Sequence, residues 1–250
     1  MMQLVVLGST GTYPSPDQPC SGYLVSHQST HILCDAGFGV MGELLRRMSP
    51  DELDAVVLSH RHPDHCADFL ALYHALAYGP FERHGLPVYA ASGVSQHIAE
   101  FLGAEKGHVL FEVFDFHEVG AENHVEVSDI EMRFAVTAHS VPTVATRFEA
   151  GGRALVYSAD TGPGGGFPDL CQGAGVVMAE ATLPGPRGEH EFAHHLTPAE
   201  AGEIARTAGA GKLILTHLRP GHDPGRSIAA AEHVFGGPVV VASPGDIYEI

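Results

Sequence analysis

The chain has 250 residues, of which 44% are hydrophobic and 17% charged. It is therefore long enough to bury a substantial core, and its composition is that of an ordinary globular protein. Its 30 acidic residues outnumber the 13 Lys and Arg residues, which gives a formal net charge of −17. Proteins that hold a long nucleic acid usually present a basic face to the phosphates, so this charge argues against such a partner and favours a small substrate.

The apolar segments and the cysteines exclude further classes of protein. The longest apolar runs, such as Leu4–Leu7 and Ala55–Leu58, are too short to cross a bilayer. The opening MMQLVVLGSTG lacks the basic and apolar regions of a secretory signal, so we expect a cytoplasmic protein without a membrane partner. The cysteines form no CxxC pair, which argues against a structural zinc knuckle and a disulfide framework. They are Cys20, Cys34, Cys66 and Cys171.

Short apolar runs bounded by turn residues alternate with helical patterns along the whole chain. The first half predicts strands at Gln3–Leu7, Gly22–Val25 and His31–Asp35, a helix at Val40–Met48, a strand at Leu53–Ser59, a helix at Cys66–Ala77, and strands at Pro87–Ala90, Val109–Phe116 and Ile130–Ala138. The second half predicts strands at Ala145–Glu149, Arg153–Ser158 and Val176–Ala179, a helix at Pro198–Ala208, a strand at Lys212–Thr216, a helix at Arg226–Val234, and strands at Pro238–Ala242 and Asp246–Ile250.

The arrangement of these segments predicts one α/β domain that spans residues 1–250. No linker rich in Pro, Gly or Ser divides the chain, and no short-period repeat is present. Gly151 and Gly152 mark a hairpin between two strands, while Thr197 and Glu200 form a capping box at the start of a helix. We expect two β-sheets lying between layers of helices.

Several predicted strands end on a side chain that can bind a metal. VVLSH ends at His60, FAVTAH at His139, LVYSAD at Asp160 and LILTH at His217. Ligand sites of α/β proteins gather at the carboxyl ends of strands, where the loops converge on one edge. We therefore expect these four side chains to meet in one pocket.

The segment SHRHPDHCAD adds a cluster of ligands directly after a buried strand. His60 and His62 are two residues apart, so in extended backbone they point the same way. Pro63 biases His62 away from helical geometry, and Asp64 and His65 then begin a helix. One short segment is thus able to serve two metals about 3.5–4 Å apart. Imidazole and carboxylate ligands suit Zn²⁺, and also Mn²⁺ or Fe²⁺.

With these residues in view, the chain resembles the metallo-β-lactamase-fold hydrolases over essentially its whole length. The resemblance implies a four-layer αβ/βα sandwich with a dinuclear metal centre. Carried over position by position, His60, His62 and His139 would hold one metal, Asp64, His65 and His217 would hold the other, and Asp160 would bridge them. The resemblance further implies that a hydroxide held between the metals attacks the substrate and that Asp64 orients it.

Two further motifs resemble the ribonuclease Z and phosphodiesterase branch of this family. AEATLPG places Glu180 at the acid of an E-A-T motif, and HHLTPAEAGEIA places His195 at a histidine before a helix. Leu196 stands where that branch commonly has serine, and Ala179 where it commonly has histidine. The resemblance implies that Glu180 orients His195, which protonates the leaving ribose alkoxide or stabilises the phosphoryl oxygens.

The spacing between His139 and Asp160 indicates which substrate to expect. Ribonuclease Z carries a long tRNA-binding arm there, whereas about twenty residues and a single hairpin separate the two positions in this chain. This favours a phosphodiesterase for a small substrate, and the run LGSTGTYPSPDQPCSGYLV resembles actinobacterial members proposed to act on cyclic nucleotides. The alternatives are a tRNA 3′-end endonuclease, a thioester or lactam hydrolase, and a catalytically silent metal-binding scaffold. A homodimer is expected from the family alone.

Two weaker candidates lie near the predicted site. Arg219 follows His217 by two residues and would either reach a substrate phosphate or lie on the surface. The glycines of Gly162–Gly166 would either admit a substrate closely or form a plain flexible loop. Cys66, beside His65, is expected to pack in the core.

Overall fold

The computed structural model describes residues 1–81, 83–188 and 193–250, with the backbone alone for 104–108. The strands form two seven-stranded mixed sheets. The first half contains β1 (Met2–Gly8), β2 (Gly22–His27), β3 (Thr30–Cys34), α1 (Val40–Leu45), β4 (Ala55–Leu58), α2 (Pro63–Cys66), α3 (Phe69–Tyr78), β5 (Leu86–Ala90), α4 (Val94–Leu102), α5 (Ala104–Val113) and β6 (Phe114–Glu118). The second half contains β7 (His124–Val127), β8 (Ile130–Val136), β9 (Val144–Ala150), β10 (Arg153–Tyr157), α6 (Phe167–Leu170), β11 (Val176–Glu180), α7 (Pro198–Ala208), β12 (Lys212–Thr216), α8 (Pro224–Phe235), β13 (Val239–Val241) and β14 (Ile247–Glu249).

Each sheet combines antiparallel and parallel pairing. The first has the order β14-β1-β2-β3-β4-β5-β6, and the second has the order β13-β12-β11-β10-β9-β8-β7. Strands β3 to β6 are parallel, as are β10 to β13. Parallel strands share the direction of their carboxyl ends, so the loops after them meet along one rim of the molecule.

The main core lies between the two sheets and explains their apolar character. It takes buried side chains from both, and the rings of Tyr23 and Tyr157 lie 4.9 Å apart across the boundary. A second buried cluster packs α7 and α8 onto the outer face of the second sheet, while α1 and α5 contact the first sheet. The layers are therefore helix, sheet, sheet and helix, and the predicted αβ/βα sandwich is confirmed. None of the helices in the described ranges is long and apolar enough to cross a membrane.

The predicted strand at Val109–Phe116 is wrong in its first part, because α5 continues to Val113 and β6 begins only at Phe114. Leu110 and Val113 are buried while Phe111 and Glu112 are exposed, which is helical spacing. A short apolar run does not distinguish a buried strand from a helix by periodicity alone.

Other departures from the predicted elements are smaller. The predicted helix Cys66–Ala77 is α3, which begins only at Phe69, since Cys66 is the last residue of the short helix α2. Asp68 lies between the two helices and accepts a hydrogen bond from the backbone N–H of Met41 at 2.9 Å. The predicted helix after Arg226 begins earlier, at Pro224, where the Asp223 side chain caps it. The helices α4 and α6 and the strand β7 were not predicted.

Candidate metal centre

The carboxyl ends of the strands deliver the predicted ligands to one rim. His60 follows β4, His139 follows β8, Asp160 follows β10 and His217 follows β12. The chain turns sharply there, with left-handed backbone at Ala159 (φ 50°) and at His217 (φ 57°). Such conformations are uncommon for residues other than glycine and occur frequently at functional sites. The expectation that these four strand ends meet is confirmed.

One group of ligand atoms surrounds His62. The Nδ1 atom of His62 lies 3.1 Å from His60 Nε2 and 3.1 Å from His139 Nε2. The Oδ2 atom of Asp160 lies 3.7 Å from the Nε2 atoms of both His60 and His139. These four side chains offer ligand atoms that all lie within 4.8 Å of one another, so they could hold one metal ion.

A second group lies on the other side of Asp160. His65 Nε2 and His217 Nε2 are 3.1 Å apart, and Asp64 Oδ2 is 3.2 Å from His217 Nε2. The Oδ1 atom of Asp160 lies 3.2 Å from His65 Nε2 and 3.4 Å from His217 Nε2. The two oxygens of one carboxylate thus face the two groups, which is the placement expected of a bridging ligand.

Hydrogen bonds behind His60 and His65 fix the tautomers of both imidazoles. His65 Nδ1 donates to Asp35 Oδ2 at 2.8 Å. Ser59 Oγ donates to the same oxygen at 2.8 Å, so it accepts from His60 Nδ1 at 3.0 Å. Each ring therefore has its proton on Nδ1 and its Nε2 lone pair toward the rim, as in metal-binding histidines.

His139 and His217 are oriented in the same way from the second sheet. His139 Nδ1 donates to the carbonyl of His194 at 3.1 Å. Thr182 Oγ1 donates to the His217 carbonyl at 3.1 Å and therefore accepts from His217 Nδ1 at 2.8 Å. The Nε2 lone pairs of His65 and His217 then face each other, which is unfavourable unless a cation or a proton lies between them.

The charges of the site require a cation as well. The Oδ1 atom of Asp160 is buried and has no hydrogen-bond partner among the described residues. Burial alone would lower the pKa of His65, but the carboxylates of Asp160 and Asp35 raise it well above its usual value. The two carboxylates therefore favour positive charge at this place. Nitrogen and oxygen donors of this kind fit Zn²⁺, Mn²⁺ or Fe²⁺, so the residues present fit divalent metal binding.

Asp35 is a residue of the site that the motifs did not indicate. It is fully buried, accepts from the Ser59 backbone N–H at 2.7 Å and accepts from the hydroxyl of Tyr157 at 2.9 Å. It therefore joins the two sheets directly beneath the histidines. The signal available in the sequence was that β3, like the ligand-bearing strands, is followed by a side chain able to contact a metal site. In the structure, Asp35 also has left-handed backbone (φ 59°).

Glu180 and His195 form the predicted pair at the edge of the centre. His195 Nδ1 lies 2.9 Å from Glu180 Oε1. Glu180 is fully buried and accepts three backbone N–H groups, from Thr161 at 2.8 Å, Thr182 at 3.2 Å and Leu196 at 3.2 Å. His195 also offers a ring nitrogen within 4.8 Å of ligand atoms of Asp160 and His217. The pair is therefore rigidly held and adjacent to both ligand groups.

The weaker candidates differ in their placement. Arg219 is half-buried and lines a cavity of about 590 Å³ beside the rim. In the Gly162–Gly166 loop, Gly162 N–H donates to the Ala138 carbonyl at 2.9 Å, and a side chain at Gly162 would lie 1.9 Å from the carbonyl oxygen of Ala193. Glycine there permits close approach of two chain segments. Cys66 is buried, as expected.

Comparison with known proteins identifies the family. A family model described as the beta-lactamase superfamily domain matches residues 30–218. The probable metallo-hydrolase YhfI of Bacillus subtilis is 32% identical over 99% of this chain and 100% of its own, and a ribonuclease Z of Methanopyrus kandleri is 29% identical over 95% and 93%. The crystal structure of YhfI, a metallo-beta-lactamase fold protein, has a TM-score of 0.87 at 29% identity over 99% of this chain and 98% of that chain.

These matches agree with the architecture and with the His and Asp groups at the rim. The family model covers the segment from β3 to just beyond β12, and so includes every predicted ligand. The chain belongs to the metallo-β-lactamase superfamily of metal-dependent hydrolases.

Proposed function

We propose that the protein is a dinuclear metal-dependent phosphodiesterase whose substrate is a small phosphodiester, namely a cyclic nucleotide. The observation that carries this proposal is the buried Glu180 carboxylate, which holds His195 by a 2.9 Å hydrogen bond next to the two ligand groups. A proton donor at that place suits a reaction whose leaving group is a basic alkoxide.

The two ligand groups would each hold one divalent cation, with Asp160 between them. When bound, the cations would lower the pKa of a water molecule and neutralise charge on the phosphoryl oxygens. Asp64 accepts a hydrogen bond from the Thr12 backbone N–H at 2.7 Å, which fixes its carboxylate at the rim. From that position Asp64 orients the attacking water toward phosphorus.

His195 supplies the proton that leaves with the product. Burial lowers the pKa of His195, but the hydrogen bond and the negative charge of Glu180 raise it above its usual value overall. The protonated form of this imidazole is therefore favoured compared with a free histidine. Its Nδ1 is engaged by Glu180, so Nε2 is the nitrogen that donates to the ribose oxygen. A thiolate leaving group needs no such proton, which argues against a thioester substrate.

The size of the substrate is inferred from the segment between His139 and Asp160. That segment is occupied by the hairpin of β9 and β10, whose pairing runs from Ala150 with Arg153 to Thr146 with Tyr157. The net charge of −17 also disfavours a long polyanion. Because the chain is similar to a ribonuclease Z, tRNA cleavage is the main rival reaction, and the test of the proposal has to include it.

The proposal is tested by a substrate screen of the purified protein with Zn²⁺, Mn²⁺ or Fe²⁺ added back. The panel contains 3′,5′- and 2′,3′-cyclic nucleotides, short oligoribonucleotides, a precursor tRNA, nitrocefin and a glutathione thioester. We expect turnover of a cyclic nucleotide, abolished in the Asp160→Ala variant. Cleavage of the precursor tRNA alone, or of nitrocefin or the thioester alone, would contradict the proposal.

A further inference from the structure

His195 is fixed at its ring and also at its backbone. The ring is held by Glu180, and the carbonyl oxygen of His195 accepts a hydrogen bond of 2.6 Å from Arg187 Nη2. This second contact belongs to a side chain that no sequence motif indicated.

Arg187 is itself held in place by a forked ion pair with Glu200. Its Nε donates to Glu200 Oε1 at 2.8 Å and its Nη2 donates to Glu200 Oε2 at 2.9 Å. Glu200 also accepts the backbone N–H of Thr197 at 2.8 Å, within the capping box of α7. Burial would raise the pKa of Glu200, but the hydrogen bonds from Arg187 and Thr197 keep it below its usual value, so the carboxylate is ionised.

The segment from His195 to Thr197 is consequently tied from both sides. Glu180 accepts the Leu196 N–H on the side of the metal centre, and Glu200 accepts the Thr197 N–H on the side of α7. Arg187 connects the second anchor to the carbonyl of His195. A planar guanidinium can make the fork and the carbonyl contact together, whereas a lysine ammonium is a single point of charge.

We infer that Arg187, held by Glu200, is a positioning residue that keeps the His195 imidazole in place to protonate the leaving group. This inference rests on the proposed function of His195. Moving a catalytic group by about 1 Å can cost about 10²-fold in rate, so loss of the backbone anchor has a cost even though the imidazole is unaltered.

The same helix offers a matched control. Arg206 pairs with Glu203 on α7 through its Nε at 3.1 Å and through its Nη2, and both side chains are about half exposed. That pair has the same chemistry as Arg187 with Glu200, but within the described parts of the chain it makes no hydrogen bond or ion pair with a residue of the site. Arg206→Ala therefore removes an Arg–Glu pair from α7 without releasing His195.

The experiment compares two phosphodiesters whose leaving groups differ in basicity. The cyclic nucleotide found in the screen releases a ribose alkoxide, whereas bis(p-nitrophenyl) phosphate releases a weakly basic phenolate that needs no protonation. Arg187→Ala should lower kcat for the nucleotide roughly tenfold with little change in KM, leave bis(p-nitrophenyl) phosphate hydrolysis within about twofold, and leave the metal content unchanged. Arg187→Lys should restore part of the loss, and Arg206→Ala should match the unmodified protein.

A second arm places Arg187→Ala in a His195→Ala background, where no further loss is expected because both changes act through one group. Equal losses with both phosphodiesters, or a further loss in the His195→Ala background, would overturn the inference, since a general structural role gives those results.

If His195→Ala alone failed to distinguish the two phosphodiesters, the proposed function of His195 would itself be wrong. A crystal structure of Arg187→Ala in which His195 Nδ1 stays 2.9 Å from Glu180 Oε1, as it is in the unmodified chain, would also overturn it.

Discussion

Two rims of the sandwich concentrate ionisable side chains, and they differ in burial. The metal rim, at the carboxyl ends of the parallel strands, contains His60, His65 and Asp160 with 0%, 0% and 2% exposure. The acidic rim lies at the ends of β8 and β9 that are farther from the metal rim, and it lines a cavity of about 520 Å³. Its charged side chains are Glu126, Asp129, Glu131, Arg147, Glu149 and Arg153.

The charged side chains of the acidic rim are paired with other side chains or exposed to solvent. Arg147 Nη2 lies 2.7 Å from Glu149 Oε1, and Glu131 pairs with His124 at 3.2 Å while about half of each side chain is exposed. At the metal rim, by contrast, a buried carboxylate oxygen of Asp160 has no hydrogen-bond partner among the described residues, and imidazole lone pairs converge. Acidic residues alone do not make a site, whereas buried groups that need a cation do.

Removing the ligand shared by both groups should have the largest effect. In Asp160→Ala, we expect the metal content to fall and turnover to fall by more than about 10³-fold, since a metal contributes several kcal/mol of transition-state stabilisation. Metal analysis and steady-state kinetics measure this. A fully active, fully metal-loaded variant would show that Asp160 is not a ligand.

Removing the proton donor should have the next largest effect and should separate chemistry from metal binding. His195→Ala should slow cyclic-nucleotide turnover by roughly 10²–10⁴-fold, the usual contribution of general acid–base catalysis, with metal content unchanged. Turnover equal to that of the unmodified chain would remove His195 from the mechanism.

Replacing the support behind His65 should weaken metal binding without removing a ligand. Asp35→Asn keeps the shape of the side chain but replaces one carboxylate oxygen by an amide donor. We expect metal affinity to fall about 10–100-fold, as is usual when a hydrogen-bond partner of a metal ligand is lost. Competition with a chromophoric chelator measures this affinity, and unchanged affinity in a folded variant would refute the role given to Asp35.

The smallest effect is expected at the acidic rim. In Glu131→Gln, turnover should stay within about twofold and the free energy of unfolding within about 1 kcal/mol, because the pair of Glu131 with His124 is about half exposed and exposed ion pairs contribute little. Kinetics and denaturant unfolding check both values. A loss of activity comparable to that of His195→Ala would mean that the comparison of the two rims is misleading.

The sequence predicted those parts of the molecule that have a local pattern. The strand-end residues His60, His139, Asp160 and His217 were recognisable because an apolar run stops at a metal-binding side chain in each case. The architecture followed from the order of the runs. The end of α5, from Val109 to Val113, was predicted as part of a strand because the periodicity of a short apolar run is ambiguous.

Contacts between distant residues could not be predicted in the same way. Asp35 meets His65 thirty positions along the chain, and it meets Tyr157 from the other sheet. Arg187 pairs with Glu200 thirteen positions later without any recognisable spacing. Such contacts depend on how the sheets and helices pack, and a single sequence carries no local signal for them.

The most direct test of the account is anomalous diffraction from crystals of the metal-loaded protein. We predict two peaks at the metal rim, one in contact with His60, His62 and His139 and the other with Asp64, His65 and His217, with Asp160 between them. A metal-loaded crystal with no peak at this rim, or with peaks only at the acidic rim, would contradict the account.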